Sequence, residues 1–287
     1  MQPPRLIENQ QELDRFIEQI RNSKYVAVDS ESDNYFAYKP RLCLIQISNG
    51  HGDFILDPLA LQDLSGLALI LADTKVEKVF HAAENDLIGM KKDFGFEVRN
   101  IFDTSIACRL LGRKRLGLAR ILSEEFGVTI DKKYQRCDWQ KRPLSMQLLS
   151  YAQLDTHFLL RLRHRLYEQL VKNNLWPLAR RKFTRLETIK LNPPKAWDPN
   201  GYRRLKGAQE LPEASLRVLK ELFSYREHLA RRTNKAPFRV MNNDFMVRLA
   251  RRIPENVDDL LSVRGLPHRF KGKGAKRLLR VVQRAKL

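Results

Sequence analysis

Two carboxylates, Asp29 and Glu31, follow the apolar residues 26–28 and stand two positions apart. Successive side chains of a strand alternate between its faces, so these two carboxylates point the same way. Neighbouring like charges disfavour each other's ionised forms unless a cation lies between them. The pair therefore predicts a divalent-cation site. The alternative is a strand that runs into a polar turn, with both acids solvated.

Two later segments carry residues that could complete such a site. Asp86 lies near the start of a predicted helix, just after a short apolar segment that ends at His81. Tyr151 and Asp155 are four residues apart, and this spacing puts them on one face of a helix. Each signal is weak alone, because an acid in the first turn of a helix commonly complements the helix dipole. The three segments together, in this order, are much more specific.

The four acids Asp29, Glu31, Asp86 and Asp155 are oxygen donors, which Mg²⁺ and Mn²⁺ prefer. Two such ions about 4 Å apart can clamp an in-line phosphoryl transfer. Tyr151, one turn before Asp155, is placed to hold the attacking water or to help deprotonate it. The set therefore predicts two divalent cations, Mg²⁺ or Mn²⁺, at a hydrolytic centre.

The order of elements predicts an α/β domain with a mixed sheet, since strands interleaved with helices give way to helices alone. Strands are predicted at 25–29, 42–48, 53–57, 78–80 and 100–103, with a hairpin turn at 49–52. Helices are predicted at 9–22, 61–71, 84–94, 104–111, 118–126 and 145–173.

A second, small all-helical domain is predicted after the prolines at 193 and 194, because proline lacks an amide donor and restricts the preceding residue. Residues 1–194 would form the first domain, 195–211 a linker and 212–287 the helical domain. Its helices are predicted at 213–232, 242–252, 257–262 and 274–286.

The charge is strongly basic, with a net of +20, and it predicts a polyanionic partner: nucleic acid first, an anionic membrane surface second. Residues 213–287 hold 19 Lys and Arg against 7 Asp and Glu, a net of +12. No apolar run is long enough to span a bilayer, and no signal-peptide core follows Met1, so we expect no membrane association. Three cysteines without a CxxC pair favour a reducing cytoplasm over a zinc cluster or disulfide framework.

The three acid-bearing segments resemble the Exo I, Exo II and Exo III motifs of the DEDD exonucleases, in the subgroup that carries a Tyr. Residues 101–104, 116–119 and 131–145 look like bacterial ribonuclease D. The basic C-terminal region looks like an HRDC domain, the helical module that ribonuclease D shares with RecQ-type helicases. Residues 202–207 are also similar to the linker of the ribonuclease D family, so the resemblance covers nearly the whole chain.

This resemblance implies a 3′→5′ exoribonuclease on a ribonuclease-H-like sheet. It also implies the substrate, structured RNA with a 3′ tail such as tRNA precursors, and the product, 5′-mononucleotides. If the matching residues have the same roles as in that family, the four acids would bind the metals and Tyr151 would position the nucleophilic water. Two departures stand out. Ser32 replaces a bulkier residue of many relatives, and one HRDC-like module is present where well-known relatives carry two.

The sequence is also compatible with two other functions. A DNA exonuclease of the Werner type has similar chemistry, but the chain has no GxxxxGK[ST] phosphate loop of a helicase segment. A catalytically silent nucleic-acid-binding adaptor is a rival of another class. Intact acids at all four positions argue against it.

The sequence also suggests roles for residues outside the four acids. His81 is predicted to pack at a strand end or to support the site indirectly, and His157 lies on another helix face than Asp155 and is not expected to be catalytic. Trp139 and Arg142, beside Pro143, would either stack on an unpaired RNA strand or cap the core.

Basic residues of the tail are predicted to contact nucleic-acid phosphates, since glycines there let the backbone approach an anion closely. The alternative is a solvated basic face. The predicted contact residues are Arg269, Lys271, Lys273 and Lys276.

Overall fold

The structure is a computed structural model that describes residues 1–193 and 196–285. The chain divides into two units. Unit 1 comprises Met1–Asp33 and Arg41–Asn192, and unit 2 comprises Asn34–Pro40 and Pro193–Leu287. The predicted boundary between 194 and 195 and the predicted helix end at 286 both lie outside the described residues.

A six-stranded mixed sheet is the centre of unit 1, which confirms the predicted fold class. The strand order is β1-β4-β3-β2-β5-β6. Strand β3 is antiparallel to both of its neighbours, β2 and β4. The other three pairs, β1 with β4, β2 with β5 and β5 with β6, are parallel. The strands are β1 (Arg5–Ile7), β2 (Tyr25–Ser32), β3 (Leu42–Ser48), β4 (Asp53–Leu56), β5 (Glu77–Phe80) and β6 (Ile101–Asp103).

Strand β2 is longer than predicted. Its pairing with β3 continues through the acids, with Asp29 opposite Gln46 and Glu31 opposite Leu44, and becomes irregular only between Glu31 and Ser32. Both carboxylates are therefore fixed on a paired, central strand instead of in a turn that follows it.

Helices cover both faces of the sheet. Side chains of α1, α2 and α3 pack with Val26 and Val28 on one face, and those of α4 to α8 pack with Ala27 on the other. The helices are α1 (Gln10–Ile20), α2 (Ser65–Ala72), α3 (Glu84–Phe94), α4 (Thr104–Leu110), α5 (Leu118–Phe126), α6 (Met146–His157), α7 (Leu159–Lys172) and α8 (Trp176–Glu187).

The predicted helix at 145–173 is two helices, which is a correction. Helix α6 ends and α7 begins at Phe158, whose ring stacks on Phe126 at 5.4 Å. The break lets α6 contact β2, β3 and β4 while α7 contacts β2 and β5. Apolar periodicity continues through Phe158, so the sequence pattern did not reveal the break.

Unit 2 is a helical bundle, as predicted, with α9 at its centre in contact with α10, α11 and α13. Part of the predicted linker belongs to its core, because Tyr202, Ala208 and Leu211 are buried there. The helices are α9 (Glu213–Thr233), α10 (Pro237–Val240), α11 (Asn243–Arg252), α12 (Val257–Leu261) and α13 (Lys273–Arg284). Within the described residues, no helix combines the length and the apolar character that crossing a bilayer requires.

Candidate active site

Three carboxylates from two elements of unit 1 meet at one point. Asp29 and Glu31 share a face of β2 with Ala27, and that face packs against the helices that include α6. Helix α6 contributes Asp155. One oxygen from each of the three side chains lies within 4.8 Å of the others. The predicted acids of the first and third segments are thus brought together.

Asp86 is positioned differently. It lies in the first turn of α3 and is not part of the 4.8 Å group. The Ser30 hydroxyl donates a hydrogen bond of 2.5 Å to its Oδ1. The Asp86 charge nevertheless contributes to raising the pKa of Asp29, Glu31 and Asp155, so the fourth acid is close enough to act on the other three.

The start of α3 is fixed by Asp103 at the end of β6. One Asp103 oxygen accepts from the backbone N–H of Ala83 at 2.8 Å, and the other accepts from the N–H of Ile106 at 2.8 Å, which caps α4. Ala82 between β5 and α3 has a φ of 60°, the left-handed region that a non-glycine residue adopts only when its surroundings impose it. This connection sets where Asp86 lies.

His81 helps to hold the same connection. Its Nδ1 lies 2.8 Å from the Thr104 hydroxyl, and its Nε2 lies 2.8 Å from the Leu116 carbonyl oxygen. Burial lowers the pKa of His81. Because both ring nitrogens have partners, His81 packs at the strand end and is not placed to act as a base. His157 pairs with Asp53 at 2.7 Å, as a residue outside the carboxylate cluster.

Tyr151 lies one turn before Asp155 on α6, which Ser145 caps by accepting from the N–H of Leu148. Its side chain is only 6% exposed. The ring packs against Tyr134 at 5.7 Å and stacks on Trp139 at 6.3 Å.

The environment of Tyr151 disfavours its phenolate. Burial, followed by the charges of Asp155 and Glu31, raises the pKa of Tyr151 above its ordinary value. Of the two roles that the sequence left open, orienting a water molecule fits such a phenol, whereas removing a proton would require the phenolate.

The four acids are electrostatically uncompensated. Burial is the largest cause that raises the pKa of Asp29 and Glu31 well above the ordinary range, and the neighbouring acids raise both further. Burial raises the pKa of Asp86 to about 6, and burial with the Asp86 charge raises the pKa of Asp155 to about 7. Among the described residues, none of the four forms a salt bridge with a Lys or Arg.

This donor set fits hard divalent cations. Clustered carboxylates without a cationic partner repel one another, and an oxygen-preferring metal ion would remove that repulsion. Asp29, Glu31 and Asp155 have the mutual distances to share one ion. Asp86 is placed to contribute to a neighbouring position.

Trp139 fills the core instead of forming a nucleic-acid rim, which is a correction, whereas the predicted nucleic-acid contact of Arg142 stays a prediction. Trp139 is 1% exposed and belongs to the core that contains Tyr151. The Arg142 guanidinium pairs with the buried Asp57, with an Nη2–Oδ1 distance of 2.8 Å, and also donates to the Cys43 carbonyl oxygen at 3.0 Å. Both side chains are therefore engaged within unit 1.

Of the predicted basic contacts in unit 2, Arg269 lines a groove of about 570 Å³ beside α9 and α13. Lys271, Lys273 and Lys276 are exposed but do not line it. Gly274 permits close packing instead of phosphate approach, because a Cβ there would lie 2.2 Å from the Arg269 carbonyl oxygen. Arginines that are not among the four predicted contacts also line the groove: Arg232, Arg277, Arg280 and Arg284.

The comparisons with known proteins agree with this geometry. A family model described as a 3′-5′ exonuclease matches residues 4–171, and an HRDC domain model matches residues 215–282. The exosome complex exonuclease RRP6 of Saccharomyces cerevisiae is 31% identical over 274 residues, or 91% of this chain. The chain spans 37% of that relative's length.

Solved structures are similar over both units. The catalytic core of RRP6 from Trypanosoma brucei has a TM-score of 0.87 and 30% identity, with 99% of this chain and 79% of that chain covered. Escherichia coli RNase D, an exoribonuclease involved in structured RNA processing, has a TM-score of 0.66 and 28% identity, with 99% and 76% covered.

Brucella melitensis NrnC with bound Mg²⁺ is similar to part of the chain, with a TM-score of 0.57, 29% identity, and coverage of 66% of this chain and 91% of that chain. The family match, the mixed sheet and the carboxylate cluster agree with one another. The chain belongs to the ribonuclease D-like branch of the DEDD 3′-5′ exonuclease family, with an HRDC domain following the exonuclease domain.

Proposed function

We propose that this protein is a metal-dependent 3′→5′ exoribonuclease that removes 5′-mononucleotides from the 3′ ends of structured RNA. The observation that carries the proposal is the approach of Asp29, Glu31 and Asp155 to within 4.8 Å, with Asp86 acting on all three. Uncompensated buried acids, held here by β2, α3 and α6, are costly for stability, and such clusters are typical of functional sites.

The residues have distinct roles in this proposal. Bound Mg²⁺ or Mn²⁺, two ions in our proposal, would supply the charge that activates water and stabilises the attacking and leaving oxygens. Asp29, Glu31, Asp86 and Asp155 would hold the ions. The protonated Tyr151 hydroxyl orients the attacking water, and Trp139 and Tyr134 keep its ring in place. Ser30 holds the Asp86 carboxylate in one orientation.

RNA is proposed over DNA because the relatives named above are described as an exosome exonuclease and as an exoribonuclease of structured RNA. Precursors of tRNA are the narrower proposal, which rests on the resemblance to ribonuclease D. The basic unit 2 supports a polyanionic substrate.

The groove beside α9 and α13 is where we propose phosphate contact within unit 2. Five arginines line it, and none of them forms a salt bridge among the described residues, so their charges are available to an anion: Arg232, Arg269, Arg277, Arg280 and Arg284. Lys271, Lys273 and Lys276 would extend the contact along the exposed surface. Such binding would be salt-sensitive and largely independent of base sequence.

One assay tests the proposal. The protein is incubated with 5′-labelled and 3′-labelled RNA and with matched DNA, with Mg²⁺, with Mn²⁺ or with a chelator. We expect shortening of the RNA from its 3′ end in the presence of metal. Asp29→Asn and Asp155→Asn should abolish hydrolysis while RNA binding survives. Full activity in either variant contradicts the metal assignment.

The same assay separates the rival functions. Faster shortening of the DNA would favour a DNA exonuclease on this fold. Tight RNA binding without cleavage under any metal condition would favour the silent adaptor.

A further inference from the structure

The side chain of Gln46, on β3, lies in the core without a hydrogen-bond partner. It is 0% exposed, and neither its amide nitrogen nor its amide oxygen is paired with any other residue that the structure describes. Buried polar atoms are paired in the great majority of cases, because an unpaired amide in a core lowers stability. A glutamine at such a position, where an apolar residue would fit, indicates a function that offsets this cost.

The register of the sheet puts Gln46 directly opposite Asp29. Residues directly opposite each other in an antiparallel pair share a face of the sheet, and their Cβ atoms lie about 5 Å apart. That face packs with helices that include α6, and α6 contacts β3 as well as β2. Gln46 therefore lies in the layer between the sheet and the helix that carries Asp155, beside the side chain of Asp29.

Of the two residues paired with Gln46 in the sheet, Asp29 is the charged one. Ile55, opposite Gln46 on β4, and Leu44, two residues before it on β3, are buried apolar side chains. Ser48, two residues after it, carries a neutral hydroxyl. A hydrogen bond from an N–H to a carboxylate is stronger than one to a neutral acceptor, so Asp29 is the neighbour that the amide is best placed to stabilise.

A hydrogen bond to Asp29 would serve the metal site. An amide N–H that is donated to one carboxylate oxygen fixes the plane of the carboxylate and leaves the other oxygen for a metal ion. Partners that orient a ligating carboxylate in this way are typical of metal sites. The structure contains a parallel case one residue along β2, where the Ser30 hydroxyl donates to Asp86 on the opposite face of the sheet.

We propose that Gln46 is a positioning residue for Asp29. Its amide nitrogen donates a hydrogen bond to the Asp29 carboxylate, directly or through one buried water molecule, when that carboxylate holds a metal ion. This inference rests on the proposed function and deepens it, because it assigns the orientation of a metal ligand to a neutral side chain of the adjacent strand. In this role Gln46 contacts neither the metal ion nor the RNA.

Gln46→Met tests the proposal, since it removes the amide and keeps an unbranched side chain of similar length. Mn²⁺ affinity is measured by calorimetry on the full chain without RNA, and stability is measured by thermal melting with a chelator. We expect the Mn²⁺ affinity to fall by about 10- to 100-fold, the range for loss of a residue that orients a metal ligand. The melting temperature should stay the same or rise, because an unpaired buried amide has been removed.

Turnover gives a second measurement. Gln46→Met should need a higher Mn²⁺ concentration than the parent for its half-maximal rate of RNA cleavage, whereas its KM for RNA at saturating Mn²⁺ should be unchanged. Loss of packing alone would lower stability without this separation. Gln46→Leu, which fills the position with a branched apolar side chain, should give the same result and serves if Gln46→Met fails to fold.

Ile47→Val is the matched control. Ile47 is the next residue of β3, is also fully buried, and packs in the core on the opposite face of the sheet. Its substitution disturbs β3 without removing the amide, so its Mn²⁺ affinity should match that of the parent. Equal Mn²⁺ affinity in the parent and both Gln46 variants, or an equal loss in Ile47→Val, would overturn the proposal. A parent protein that binds Mn²⁺ tightly but cleaves no RNA would instead contradict the proposed function.

Discussion

The Ser30 hydroxyl donates a 2.5 Å hydrogen bond to Asp86, and this contact ties the start of α3 to the middle of β2. Ser30 stands between Asp29 and Glu31 but projects from the opposite face of the strand. Strand β2 thus presents Asp29 and Glu31 on the face that packs with α6. From its opposite face, which packs with α3, Ser30 holds the Asp86 carboxylate.

Removing the Ser30 hydroxyl should let the Asp86 carboxylate adopt more than one orientation. We expect Ser30→Ala to lower metal affinity or turnover by roughly 10-fold, the scale for loss of a residue that orients a metal ligand. Ser30→Thr keeps the hydroxyl and serves as the matched control. Titration with Mn²⁺ and kinetics on a short RNA measure both effects, and equal values for Ser30→Ala and the parent would show that Asp86 needs no such support.

Metal binding should strengthen as the pH rises. The pKa of Asp86 is raised to about 6 and that of Asp155 to about 7, so both carry protons in mildly acidic solution when no metal is bound. A metal ion must displace those protons. We expect tighter Mn²⁺ binding at pH 8 than at pH 5.5, measured by calorimetry. A pH-independent affinity would contradict the raised pKa values.

The stability of the metal-free protein should change in the opposite direction. Between the ordinary carboxyl pKa near 4 and the raised values, the folded state binds more protons than the unfolded state, so the free energy of unfolding falls as the pH rises. We expect the chelator-treated protein to melt at a lower temperature at pH 8 than at pH 5.5, and Mn²⁺ to restore it at pH 8.

Asp155→Asn isolates this effect from other titrating groups, because it removes one charge from the cluster. Its melting temperature should fall less between the two pH values than that of the parent. An equal fall in melting temperature in the two proteins would mean that the carboxylate cluster does not cause the pH dependence of stability.

Tyr151→Phe should slow hydrolysis by roughly 10²-fold, a magnitude typical of losing a group that assists proton transfer or orients the nucleophile. Its affinity for Mn²⁺ should stay near that of the parent, since the phenol is not among the metal ligands. Single-turnover kinetics and metal titration separate the two. An unchanged rate would remove Tyr151 from the mechanism.

Arg142→Ala should act on stability. The substitution leaves Asp57, whose side chain is 2% exposed, as a buried charge without its cation. Removing one partner of a buried pair typically costs about 3 to 5 kcal/mol. Urea denaturation measures the loss.

RNA affinity of the folded Arg142→Ala protein should match that of the parent. A large loss of affinity at unchanged stability would instead support the interpretation of Arg142 as a strand contact.

Local patterns identified the chemistry of this protein. The i, i+2 spacing of Asp29 and Glu31 fixes them on one strand face, and the i, i+4 spacing of Tyr151 and Asp155 fixes them on one helix face. Hydrophobic periodicity likewise placed β3, α3 and α5 within one residue of their observed bounds. These features depend on backbone geometry over a few residues, which the sequence displays directly.

Relationships between elements depended on the tertiary structure. Trp139 could stack on RNA or fill the core, and only the packing of α6 against the sheet decided for the core. Unit 2 includes the segment Asn34–Pro40, which is far in the chain from the rest of that unit. The groove beside α9 and α13 likewise brings together arginines that are distant in sequence, such as Arg232 and Arg269. The sequence by itself determined which side chains can do chemistry, because residue type and local spacing suffice for that. The folded chain decided which of these side chains are exposed, paired or brought together. Burial and the distances between elements depend on partners that no local pattern specifies.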